Sequence, residues 1–256
     1  PISVGTCMVM GTASTMACVT EALGLSLPMS ATIPAPHSER VRSAEHSGKR
    51  AAEMAVSGGP RPSELLTPAA FRNAQVVLQA IGGSTNGLIH LTAIAHRTKH
   101  RIDLDAFDKL GREVPVLVDL KPSGEHYMEH FHHAGGVPKL LKQLGDLIDL
   151  DAKTITGATL REVVGAAEEV PGQDAIRAKG NPIKPEGALA ILHGKVDPLQ
   201  NLGLTKALRD GLQFQQHSVG GHLCSAINRS KSINRSPLTP FRQGKGAIRG
   251  DITERP

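Results

Sequence analysis

The hydrophobic rhythm of this sequence stops near Asp197. Up to that point apolar residues recur at helical or strand spacing; beyond it Ser, Arg, Asn, Gln and Gly take over. A segment without a periodic apolar face has nothing to bury against a core. The packed unit is therefore expected within residues 1–196, with 197–256 as a basic, polar and poorly ordered tail. The runs Ser230-Lys231-Ser232 and Arg235-Ser236-Pro237 read as linker. The length suffices for a sizeable core, but its material is restricted. With no Trp, one Tyr and five Phe, Ala, Val, Ile and Leu must fill it. So few rings also argue against a stacking platform for single-stranded nucleic acid.

Charge follows the same division. The formal charge is +5, of which residues 201–256 carry +6 and the remainder −1. A basic tail can contact a phosphate backbone or remain a solvated extension, and the scattered charges favour the extension. Nucleic acid is thus not the expected partner. No stretch approaches the roughly 18 consecutive apolar residues of a membrane span. The start, Pro1-Ile2-Ser3-Val4, has neither an initiator Met nor a signal-peptide pattern, which suggests a chain that begins inside a longer gene product. Cys7, Cys18 and Cys224 are an odd, sparse set, suited to a reducing cytoplasm and not to a disulfide framework.

Local signals place the elements. Thr12 or Ser14 can cap a helix through Val19 and Leu23, ended by Gly24. Ser38 caps a long helix closed by Gly58-Gly59-Pro60, and Thr67-Pro68 opens an apolar, buried one. Gly82-Gly83 breaks that helix and Ser84 caps the next. Asp103, Ser123 and Thr159 each lead into further helices, with a His-rich one after Ser123 and the last reaching about Glu169. Val114 to Leu120 and Gly187 to Leu192 read as buried strands. Strands alternating with helices indicate an α/β layer architecture.

Four constellations could carry chemistry. In Gly5-Thr6-Cys7, continuing through Gly11-Thr12-Ala13-Ser14-Thr15-Met16, one thiol precedes a helix start. Such a place suits a metal-ligating cysteine or an anion-binding turn, and equally a buried cysteine beside a cap. Gly82-Gly83-Ser84-Thr85-Asn86-Gly87 offers backbone amides and polar side chains at a second helix start, either as an anion cradle or as a plain connector. His126-Tyr127-Met128-Glu129-His130, followed by His132 and His133, matches the H-x-x-E-H spelling of inverted zinc peptidases. No third ligand stands at a recognisable spacing, and a merely polar helix explains the histidines better. Cys18 lies on the apolar side of its helix with Ala22, as a core residue would.

Together these segments resemble the dihydroxy-acid and sugar-acid dehydratases. The resemblance runs through Gly5-Thr6-Cys7, Met10 to Met16, Thr20 to Pro28, Gly48-Lys49-Arg50, Ala80 to Asn86 with His90-Leu91, His132 to Val137, and Pro182-Ile183 with Gly187 to Leu192. It covers about residues 3–195. The Met10 to Thr15 spelling and Ile33-Pro34-Ala35-Pro36 lean toward the aldonate (arabinonate- or xylonate-type) branch.

The resemblance implies a lyase that removes water from a 2,3-dihydroxy acid, giving an enol that becomes a 2-oxo acid. It implies a [2Fe–2S] cluster on three cysteines, one iron acting as Lewis acid for the leaving hydroxyl, with a neighbouring Mg²⁺ at the substrate carboxylate. A serine alkoxide takes the C2 proton. Cys7 matches the third cluster cysteine, and so would be a metal and cofactor ligand. Gly11 to Thr15 would lie beside the cluster, with Thr12 or Ser14 as substrate contacts. The implied fold is part of a large α/β/α domain without its C-terminal β-barrel, and the implied assembly is a homo-oligomer acting on a small-molecule acid. The family's Cys-Asp-Lys and Asp-Gly-Arg-x-Ser-Gly motifs are missing. That points to an incomplete chain without activity of its own, with the residues past about 197 read in a shifted frame. The alternative is a non-enzymatic protein that binds a partner or nucleic acid through its tail.

Overall fold

The computed structural model describes residues 8–192 and the backbone of two further strands, 213–219 and 222–228. The described residues are mostly helical. In chain order they form α1 (Thr12–Ala22), α2 (Ser38–Ser57), α3 (Pro62–Leu65), α4 (Pro68–Ala80), α5 (Thr85–His96), α6 (Leu104–Glu113), α7 (Met128–His133), α8 (Gly136–Leu144) and α9 (Leu160–Gly165). Three strands follow: β1 (Leu189–Leu192), β2 (Gln213–Val219) and β3 (His222–Asn228).

Helix α4 is the axis of the molecule. Thr67 caps it by accepting from the Ala70 amide, and Pro68 occupies the first turn, where no N–H is needed. One side of α4 packs Val76, Val77, Ala80 and Ile81 into a cluster with Cys18, Leu117, Phe131, Val137 and Leu140. Its other side packs Phe71, Ala74 and Leu78 against Val19, Leu23, Leu88, Leu91 and Phe107. Aliphatic side chains dominate both clusters, as the composition requires.

Most helix signals are realised. Asp103 caps α6, Ser84 caps α5, and Thr159 with Glu162 forms a capping box on α9. Gly58, at φ 67°, ends α2 in the left-handed conformation that glycine adopts without penalty. Three expectations shift. The cap of α2 is His37, so Ser38 is its first residue, and α9 ends at Gly165, before Glu169. The segment after Ser123 stays non-helical as far as Tyr127, leaving a short α7.

The expected strand at 114–120 is fully buried and extended but, among the described residues, joins no sheet. It makes isolated bridges, Val116 to Lys184, Val118 to Ile176 and Leu120 to His126. The amides of Leu117 and Val118 both donate to the Ala80 carbonyl at the end of α4. The described sheet is antiparallel, in the order β1-β3-β2, with Leu189 opposite Asn228 and Gln213 opposite Asn228 on the other edge.

Two buried amides on α4 tie it to extended backbone. Gln79 accepts from the Leu189 amide (2.9 Å) and donates to the Leu189 carbonyl (3.1 Å). Asn73 does the same to Asp149, at 2.8 Å each way. Each amide side chain supplies the donor and acceptor that a neighbouring strand would otherwise provide. Gly187 fits here because a Cβ would lie 2.4 Å from Gln79 Oε1.

Candidate functional site

Helices α1 and α5 start side by side. Gly11 caps α1 without a side-chain hydrogen bond, so Thr12 and Ser14 do not act as its caps. The Thr12 hydroxyl is used across the structure instead, 3.1 Å from Ser84 Oγ, and it accepts from Asn86 Nδ2 at 3.0 Å. Thr15 Oγ1 accepts from the Ser84 amide at 3.0 Å, and Ser84 Oγ accepts from the Asn86 amide at 3.2 Å. The Gly/Thr segment and the Gly-Gly-Ser-Thr-Asn-Gly segment, separate in the sequence, are thus one hydrogen-bonded unit.

Glycine makes this approach possible. A Cβ on Gly83 would lie 2.9 Å from Thr15 Cγ2 and 2.7 Å from Leu78 Cδ1; one on Gly87 would lie 2.8 Å from the same methyl. The Thr15 methyl therefore occupies a notch formed by two glycines four residues apart. The sequence places Thr15 in the Gly11 to Thr15 stretch of the resemblance, but its packing role is visible only in the tertiary structure. Neither α1 nor α5 carries an acidic residue in its first turn. The partial positive ends of the two helices therefore lie near each other with no carboxylate in either first turn, an arrangement that favours an anion. Thr12 is half-buried and Ser14 buried.

The chain enters α1 along a fixed path. The Met10 amide donates to Lys121 O, and the Met128 amide donates to Met8 O, both at 2.8 Å. Cys7, the predicted cluster ligand, immediately precedes this path and lies outside the described residues. The backbone of Cys224 is in β3. The rest of the basic tail, apart from the backbones of β2 and β3, also lies outside the described residues.

Cys18 is the core residue that its spacing indicated. It is fully buried, and burial pushes its thiol far up, with the Glu21 charge adding to the effect. Cys18 is enclosed by the apolar side chains of its cluster. That leaves Cys7 and Cys224 as the chain's other thiols, fewer than the three cysteines of the cluster that the resemblance implies.

Glu21 itself is buried on α1 and accepts from the amides of Met29 (2.8 Å) and Ala31 (3.0 Å). Desolvation raises its pKa to about 7 despite those two donors. It pins the turn at Met29, a non-glycine residue at φ 68°.

The His126/His130 pair does not form a zinc-peptidase helix. His126 lies before α7 and pairs with Asp174 at 3.1 Å, while His130 Nδ1 accepts from the Tyr127 amide. Their rings are 5.3 Å apart, but among the described residues no third ligand joins them at metal-binding spacing.

Comparison with known proteins identifies the family. Residues 2–163 match the family model described as dihydroxy-acid/6-phosphogluconate dehydratase N-terminal, and the chain belongs to that family. Curated relatives carry the name dihydroxy-acid dehydratase. That of Acetivibrio thermocellus is 41% identical over 196 residues, covering 76% of this chain and 35% of the relative. Those of a Polaromonas species and Methanosarcina barkeri are 43% and 42% identical over 198 and 197 residues, each with 76% of this chain and 35% of the relative covered. The chain thus spans about a third of the length of these relatives. Among the described residues, no helix is long and apolar enough to cross a membrane.

Proposed function

We propose that this chain forms the substrate-carboxylate side of a hydro-lyase that converts a 2,3-dihydroxy acid to a 2-oxo acid and water. The observation that carries the reading is the pairing of the α1 and α5 N-termini through Thr12, Ser84 and Asn86, immediately after Cys7. In this reading the carboxylate faces the two helix starts, with Thr12 and Ser14 as substrate contacts. The names of the relatives favour a branched-chain dihydroxy acid over the aldonate expected from the Met10 to Thr15 spelling.

The wider proposal is that residues 1–196 are part of the family's large α/β/α domain and that 197–256 are a basic, polar tail of other origin, joined to that domain by the pairing of β3 with β1. Such a protein would act in the cytoplasm on a small-molecule acid, as a homo-oligomer. The [2Fe–2S] cluster and Mg²⁺ belong to the family's chemistry, with Cys7 as the one ligand that this chain would offer in a family context. The isolated chain is then inactive.

The test is anaerobic purification followed by iron and acid-labile sulfide analysis and an assay for 2-oxo acid release from a branched-chain dihydroxy acid. The expected result is neither stoichiometric iron nor turnover. Two irons per chain lost on Cys7→Ser, or measurable turnover, would overturn the inactive reading. Saturable dihydroxy-acid binding to the chain, weakened by Thr12→Val, is expected by calorimetry; its absence would remove the substrate-site reading.

A further inference from the structure

The start of α2 and the helix α7, 93 residues apart at their contact, bring a second set of metal-ligating groups together. His37 caps α2 and Glu39 lies in its first turn; His132 is in the last turn of α7. One ligand atom from each lies within 4.8 Å of the other two. We propose that His37, Glu39 and His132 form a binding site for one divalent transition-metal ion of the zinc class, separate from the paired helix N-termini.

Orientation is the first argument. His132 is buried, with Nε2 3.1 Å from Glu39 Oε2 and Nδ1 3.0 Å from Thr32 Oγ1. Without metal, the Nε2 proton is donated to Glu39 and the Thr32 hydroxyl is donated to Nδ1. With metal on Nε2, the ring proton moves to Nδ1, Thr32 accepts it, and the hydroxyl turns to the Met29 carbonyl, 3.4 Å away. Every polar atom is satisfied in both states, and a neutral ring loses no proton. An outer hydrogen bond that fixes the ring and its tautomer is the usual support of a metal-bound histidine.

Ligand chemistry is the second argument. Two imidazoles and one carboxylate suit zinc and its first-row neighbours and leave a coordination position for water or another ligand. Ligand atoms about a tetrahedral zinc lie roughly 3.3 Å apart. The three ligand atoms, all within 4.8 Å of one another, therefore need to close by at most about 1.5 Å. Arg42 sits 3.9 Å from the other Glu39 oxygen, Oε1, and leaves Oε2 to the metal. His37 also lies 3.7 Å from Glu129 Oε1 and within ring contact of His133, which form a more exposed set around the same imidazole. The set with His132 is favoured because only His132 is buried and held by Thr32. A cavity of about 530 Å³, lined by His132, His133, Met29, Pro138 and Val163, adjoins the cluster and gives a ligand access.

The experiment titrates the whole chain, stripped with chelator, with Co²⁺ and follows its visible d–d bands. One saturating equivalent is expected, with bands of a four- or five-coordinate ion. The bands should vanish in His37→Gln and in Glu39→Gln, both of which change exposed or half-buried side chains and leave the circular dichroism unchanged. They should persist in the His126→Gln/His130→Gln double variant. Thr32→Val should weaken binding roughly 10- to 100-fold. Absence of saturable binding would overturn the proposal. So would binding that survives both His37→Gln and Glu39→Gln, a thiolate-to-cobalt charge-transfer band, or loss on Glu129→Gln with retention on Glu39→Gln.

Discussion

The hydroxyl oxygens of Thr12 and Ser84 lie 3.1 Å apart, although 72 residues separate them along the chain. With the bond from Asn86 Nδ2, this contact locks the start of α1 to the start of α5. The double-mutant cycle of Thr12→Val and Ser84→Ala, measured by urea unfolding, should give a coupling energy of about 0.5–1.5 kcal/mol. Additive losses would mean that the two hydroxyls do not interact in solution.

Gln79 satisfies both backbone groups of Leu189. Gln79→Met keeps the volume but leaves a buried N–H and a buried C=O without their partner. The expected cost is about 2–5 kcal/mol in unfolding free energy. Gln79→Glu should also destabilise, because an ionised carboxylate cannot donate to the Leu189 carbonyl. A loss below 1 kcal/mol in the first variant would show that other groups replace the amide.

Gly83 has no room for a methyl group between Thr15 and Leu78. Gly83→Ala should destabilise by about 1–3 kcal/mol through overpacking. Adding Thr15→Ser removes the Cγ2 in the way and keeps the hydroxyl that accepts from the Ser84 amide. Part of the lost stability should return. A double variant less stable than Gly83→Ala alone would place the strain elsewhere.

Glu21 gives the chain a pH dependence of stability. Its pKa rises from 4.5 to about 7 on folding because burial disfavours the charge. Between those values the folded chain holds a proton that the unfolded chain has lost. Stability from this group is therefore full below about pH 4.5 and falls as pH rises toward 7, by an amount on the order of 3 kcal/mol. His132 acts in the opposite sense below its ordinary value of 6.5, since its pKa is lowered. The clean measurement is the unfolding free energy of the wild type minus that of Glu21→Gln at pH 4.5 and at pH 7.5. His132 is common to both proteins and cancels. That difference, taken with its sign, should be lower at pH 7.5 by about 3 kcal/mol; a difference constant across the range would contradict the assignment.

The helices were legible because their signals are local. Thr67-Pro68, Ser84, Asp103 and Thr159 each stand where a cap must satisfy free amides, and all four act as caps. The β-branched run at 114–120 marks a buried, extended segment, but its partners are scattered residues such as Lys184 and Ile176, which no local pattern announces, so isolated bridges stand where a strand is expected. The His-rich segment misled for a related reason. H-x-x-E-H presupposes a helix, whereas His126 stays outside α7 and turns to Asp174.

The candidate site divides in the same way. The sequence alone determined the family, through motifs that keep their order and spacing, and it determined that Cys18 belongs to the core. Spacing on one helix suffices for that, because Cys18 and Ala22 share a face whatever packs against it. Only the tertiary structure decided that Thr12 reaches Ser84, that the Thr15 methyl needs two glycines, and that His37 and Glu39 meet His132. Those contacts join residues 68 or more positions apart, and what sets them is how α1 packs with α4 and α5 and how α2 meets α7. Packing is a property of the whole core, and no single segment of sequence carries it.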